Sequence, residues 1–252
     1  MGHTYRTMLT KKLTLRWSFW GKHPILIEML NLSIKSFHRF LGEEARYIVC
    51  CDDIDFVKSK TTDVDQYIPS ASGLFSVSLS NFRKMAPQLK ITDGHELMVD
   101  ADVFCLKDPQ SIREWIQDSS VACIQCRTNG DKTTCGYGEW LCQIDKSIPF
   151  CCNGFFGMKQ GFDFTEQLLD NMYKSANMKD SYWHEQASTV KCLEPYILAG
   201  KVKMLDQSII RYYTPNTYWF DIETEDCEMV HCIDSKGSDF FCFNQLKKLN
   251  KI

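Results

Sequence analysis

Three short apolar runs govern what this chain can fold into: residues 13–19, 47–51 and 96–99. Each is too short to be a buried helix, and each is rich in residues that favour strands. Between the first two, Leu26, Met29, Leu30, Phe37, Phe40 and Leu41 fall on one face of a helix spanning 24–41, with Gly42 at the expected stop. After the third, Asp108-Pro109 reads as an N-cap followed by proline at the first helical position, and that helix continues through Ile112, Trp115 and Ile116. Residues 121–126 return as a strand. A β-α-β-α-β order of this kind predicts a mostly parallel sheet covered by helices. Ligands of such sheets bind beyond the carboxyl ends of the strands, which is where Asp52-Asp53 and Asp100/Asp102 fall.

The rest of the chain is less regular. Residues 55–72 and 129–138 read as loops, and 81–89, 163–176 and 239–249 as helices. Residues 202–205 and 228–232 are strand candidates. Pro195 predicts a short or kinked helix over 185–198. No repeat or linker divides the 252 residues, so one domain is expected. With 44% hydrophobic and 24% charged residues, the composition excludes disordered and collagen-like chains. A net charge of −3 lacks the footprint of a general nucleic-acid binder.

No run approaches the roughly 18–20 apolar residues of a membrane span, and the basic residues 1–12 lead into no apolar core of secretory length. A cytoplasmic location follows as an expectation, with peripheral membrane contact left open. Thirteen cysteines, an odd number in a long chain, read as reduced and mostly buried thiols. The spacing Cys123-x-x-Cys126 with Cys135 and Cys142 is a poor match to a zinc ribbon, because it lacks a second tight pair.

The most informative segment is residues 97–104, where Asp100-Ala101-Asp102 closes an apolar strand and a helix start follows. Hard oxygen ligands at such a rim suit Mn²⁺ or Mg²⁺, which also draw on water and substrate phosphates.

Residues 98–103 together with Asp108-Pro109 resemble the Asp-x-Asp segment of GT-A-fold, nucleotide-sugar-dependent glycosyltransferases. Further elements follow in that family's order over about residues 13–245. Residues 82–87, with Arg83 and Lys84, are similar to its basic segment. Residues 152–157 resemble the Asn and Gly segment beside the acceptor, which places Asn153 and Gly154 against substrate. Glu185-Gln186 is similar to the Asp-Gln pair near the donor sugar in retaining members of the glycogenin and galactosyltransferase type. His231 and Lys236 resemble the C-terminal His and Lys of those members.

The resemblance implies a Rossmann-like α/β domain with a nucleotide-binding half over about 1–126 and an acceptor-binding half over about 127–252. It implies Mn²⁺ or Mg²⁺ held by Asp100, Asp102 and His231. The nucleotide sugar, UDP-sugar first, would lie against Trp17, Ser18 and Phe19 through backbone groups, and against Asp52 or Asp53, Arg83, Lys84, Asp100, Ala101 and Lys236. A glycan or other hydroxyl compound is the expected acceptor. Gln186 could stabilise the reacting sugar carbon, or Glu185 could act as a base in an inverting reaction. Two other readings stay open: a sugar-phosphate nucleotidyltransferase, whose Gly-rich opening loop residues 17–21 match poorly, and a non-catalytic module of the same shape.

Overall fold

The computed structural model describes residues 13–70, 93–127, 143–175, 184–213, 226–232 and 240–252. Its main sheet contains seven strands: β1 (Leu13–Phe19), β2 (Ala45–Cys51), β3 (Gln66–Pro69), β4 (His95–Val99), β6 (Ala122–Arg127), β7 (Phe150–Met158) and β8 (Val202–Leu205). They lie in the order β3-β2-β1-β4-β7-β6-β8. All pairs are parallel except those that β7 makes with β4 and β6. This is the mixed, mostly parallel sheet expected from the sequence. A second sheet of three short strands joins β5 (Val103–Cys105), β10 (Met229–His231) and β9 (Ile210–Tyr212) in that order.

Alternation along β1 explains its two faces. Leu13, Leu15, Trp17 and Phe19 point into one core with Ile27, Leu30, Ile34 and Phe37 of α1 (Pro24–Leu41). Trp17 stacks on Tyr47 at 6.3 Å, and its indole N–H donates to Ser33 Oγ at 3.0 Å. Beneath β6 and β7 a second core packs against α4 (Thr165–Ser175) and α5 (His184–Leu198). A third gathers Phe104, Val230 and the buried face of α6 (Phe241–Lys248). Among the described residues no helix is long and apolar enough to cross a membrane.

Several local expectations change. Residues 55–72 are not all loop: Asp53 caps a five-residue helix, α2 (Ile54–Lys58), by accepting from the Phe56 N–H at 3.0 Å, and β3 follows at the sheet edge. Pro69 is tolerated there because an edge strand has one side without ladder bonds. Asp108 does not cap α3 (Gln110–Gln117), since Pro109 occupies the cap position. Glu228 does so from across the fold, accepting from the Ser111 N–H at 3.1 and 3.2 Å, while Asp108 accepts from Arg113. The helix containing Pro195 is neither short nor interrupted; the proline falls in its last turn. The segment 81–89 and the loop 129–138 lie outside the described residues.

The described cysteines are free, and all but Cys152 are buried. Cys123 and Cys126 belong to different cores on opposite faces of the sheet, a placement that keeps them from sharing a zinc ion.

Candidate metal centre at the rim of the sheet

The backbone brings three ligand-type side chains together. Strand β4 ends at Val99, and the chain turns through Asp100, Ala101 and Asp102, with the Val103 N–H donating to the Asp100 carbonyl at 3.1 Å. The Asp100 N–H donates to the Gly154 carbonyl at 2.8 Å, which ties the turn to β7. Strand β5 begins at Val103 and pairs antiparallel with β10, so Val103 sits opposite His231. The Cys232 N–H closes the loop on the Asp102 carbonyl at 2.9 Å. Asp100, Asp102 and His231 thereby offer one ligand atom each, all within 4.8 Å of one another.

His231 is buried and held on several sides. Its Nε2 lies 3.4 Å from Asp102 Oδ1, and its Nδ1 lies 2.9 Å from Gln125 Oε1. The Tyr212 ring stacks on it at 5.9 Å, and the Arg127 guanidinium covers Tyr212 at 4.4 Å. The remaining side is closed by β7. A methyl group at Gly154 would come within 2.6 Å of His231 Nδ1 and closer still to Cε1. Only glycine leaves room for the imidazole there.

Burial by itself would lower the His231 pKa, but the Asp102 charge and hydrogen bond, joined by Cys152, outweigh it and push it up to about 10. A raised value in the folded state means stability that is whole below the ordinary value of 6.5 and is lost as the pH climbs through about 10. In EDTA, the melting temperature is therefore expected to fall between neutral pH and pH 10, and more steeply than in Asp102→Asn. Parallel slopes for the two proteins would show that Asp102 does not hold the proton.

Two carboxylates and an imidazole clustered at a strand end fit a divalent ion such as Mn²⁺, and the space vacated at Gly154 gives the imidazole its place in that set.

The other expected site residues surround this point unevenly. Trp17 and Phe19 have their side chains in the core, so the end of β1 offers backbone and the half-buried Ser18. Ala101 packs partly against the same core. Asp52 accepts from the Gly21 N–H at 3.3 and 3.2 Å, and Asp53 pairs with Lys22 at 2.7 Å, which holds its carboxyl below the ordinary range. Both acids flank the end of β1.

Asn153 is buried; its Nδ2 donates to Thr189 Oγ1 on α5 at 2.9 Å, and its Oδ1 finds no partner among the described residues. Gln186, also buried, precedes Thr189 by three residues and so lies on the same side of α5. Glu185 is its neighbour in that helix. Arg83, Lys84 and Lys236 lie outside the described residues.

Gln125 is the residue that sequence reasoning missed. A glutamine inside the apolar run 122–126 was the available signal, because a fully buried amide in a strand needs a partner.

No family model matches the sequence, and comparison with curated proteins finds no match. Solved structures do match. An active-site mutant of LgtC is similar at 11% identity over 87% of each chain, with a TM-score of 0.56. The galactosyltransferase LgtC, in complex with donor and acceptor sugar analogs, is similar at 12% identity over 92% of this chain and 94% of that one, TM-score 0.56. A glycosyltransferase involved in the glycosylation of the major capsid of PBCV-1 is similar at 13% identity over 92% and 98%, TM-score 0.56. At these identities the likeness is one of architecture, and the chain has the GT-A fold of these glycosyltransferases.

Proposed function

We propose that the chain is a metal-dependent glycosyltransferase that moves a sugar from a nucleoside-diphosphate sugar, UDP-sugar first, to a glycan or other hydroxyl acceptor. The supporting observation is the Asp100–Asp102–His231 cluster at the carboxyl end of β4 in a GT-A fold. A divalent ion bound there would neutralise the charge that develops on the departing diphosphate.

The chain's own residues do the rest. Asp100 and Asp102 present carboxylate oxygens, and His231 presents Nε2 once the proton shared with Asp102 has left. The end of β1 and Asp52 or Asp53 would receive the nucleotide, and Arg83, Lys84 and Lys236 the diphosphate. Asn153 Oδ1, which has no partner among the described residues, could accept from a sugar hydroxyl, with Gln186 nearby on α5 as the group under the reacting carbon and Glu185 as the alternative base. The free, largely buried thiols among the described residues fit a cytoplasmic location.

Incubation with Mn²⁺ and a panel of nucleotide sugars tests the proposal. Release of nucleoside diphosphate supports it. Formation of nucleoside triphosphate when pyrophosphate is added to the donor would mean a nucleotidyltransferase, and no product from any donor a binding module.

A second test concerns Gly154. Gly154→Ala must displace the imidazole by more than an ångström, and misplacement on that scale costs about 10²-fold in turnover. Its Mn²⁺ affinity should fall in step while the circular dichroism spectrum stays that of the parent. Unchanged Mn²⁺ affinity would separate Gly154 from the metal centre.

A further inference from the structure

We propose that Gln125 is the positioning residue of this centre: its Oε1 holds His231 by the Nδ1 hydrogen and so commits Nε2 to the metal side. The inference rests on the assignment of Asp100, Asp102 and His231 as metal ligands. An amide oxygen can only accept, so the 2.9 Å contact requires the hydrogen on Nδ1. Once the proton shared with Asp102 has left, the lone pair that a metal needs is on Nε2, the nitrogen facing Asp102 at 3.4 Å. Ligand histidines commonly have their second nitrogen fixed by a carboxylate, a backbone carbonyl or water. Here a buried side-chain amide fills that position.

Two features of β6 and β7 argue that the arrangement serves the site and not stability. Gln125 is fully buried and its Nε2 finds no partner among the described residues, a state that an apolar side chain in the same strand would avoid. The pairing of β6 with β7 also shifts register between Ile124 and Gln125, from Ile124 opposite Phe156 to Gln125 opposite Cys152. Such irregularities re-aim side chains beside active sites. The residues of β7 passed over by the shift include Gly154, whose missing Cβ admits the imidazole. Tyr212 and Gly154 restrict where the ring lies, while Gln125 engages Nδ1 and Asp102 faces Nε2.

The test uses the full chain stripped with EDTA and titrated with Mn²⁺. Affinity is read from the free-ion signal in electron paramagnetic resonance, and imidazole ligation from the ¹⁴N coupling in pulsed spectra. Wild type should show the coupling and His231→Ala should lack it. Gln125→Met should bind Mn²⁺ about 10- to 100-fold more weakly with the coupling diminished. Gln125→Glu, which keeps an acceptor at Nδ1, should restore both.

Wild-type affinity and coupling in Gln125→Met would overturn the inference and leave the metal centre standing. Absence of the coupling in wild type would overturn both. Should Gln125→Met fail to fold, Gln125→Asn, too short to reach the ring, takes its place: a lost coupling supports the role and a full one overturns it.

Discussion

Asp102→Ala should lower kcat by about 10³-fold while leaving a folded protein, the scale on which losing one preorganised charge-stabilising group acts. Asp102 is attached to the site in two ways. Its carboxylate faces His231 Nε2 at 3.4 Å, and its carbonyl accepts from the Cys232 N–H at 2.9 Å. Alanine keeps the backbone bond, so the β5–β10 pairing that carries His231 survives. What goes is one anionic ligand and the charge that balances the imidazole. Steady-state turnover with saturating nucleotide sugar and Mn²⁺ measures the first loss, and a melting curve in EDTA checks the fold. Full activity in this variant would remove Asp102 from the metal site and with it the central premise of the proposed chemistry.

Glu96→Ala should produce the largest loss of stability of any substitution considered. Arg16 on β1 and Glu96 on β4 form an ion pair on the sheet face opposite Trp17, at 3% and 2% exposure. Burial pulls the Arg16 pKa down, yet Glu96, assisted by Cys50, overcomes this and leaves it raised. Removing one partner of such a pair costs about 3–5 kcal/mol, because the other charge stays in a low-dielectric setting. For a chain of this size that lowers the melting midpoint by roughly 10 °C. The double variant Arg16→Met/Glu96→Leu should recover most of the loss, since apolar replacements of buried pairs are commonly neutral or better. If Glu96→Ala melts with the parent, other groups must be balancing Arg16.

Legibility followed the range of the interaction. Strands β1 and β4, helix α1 and the placement of Asp100 and Asp102 at a strand end were all readable, because each depends on a period of two or 3.6 residues or on what immediately follows an apolar run. Helix α3 was readable as a helix but not its cap, because Glu228 arrives from a distant part of the chain. Gln125 looked like an ordinary member of a buried strand, and Gly154 like part of a substrate segment. The space that each fills or leaves is defined by His231, a neighbour only in three dimensions.

The sequence by itself determined the alternating α/β order, the acidic turn after β4 and the supply of metal-ligand residue types, since these are local consequences of side-chain periodicity and chemistry. Tertiary structure alone decided that His231 stands beside Asp102, that Gly154 makes room for it and that Gln125 holds its far nitrogen. Those contacts follow from strand register, the pairing of β5 with β10 and the shift between β6 and β7, and register is set by packing of the whole sheet, which no short stretch of residues encodes.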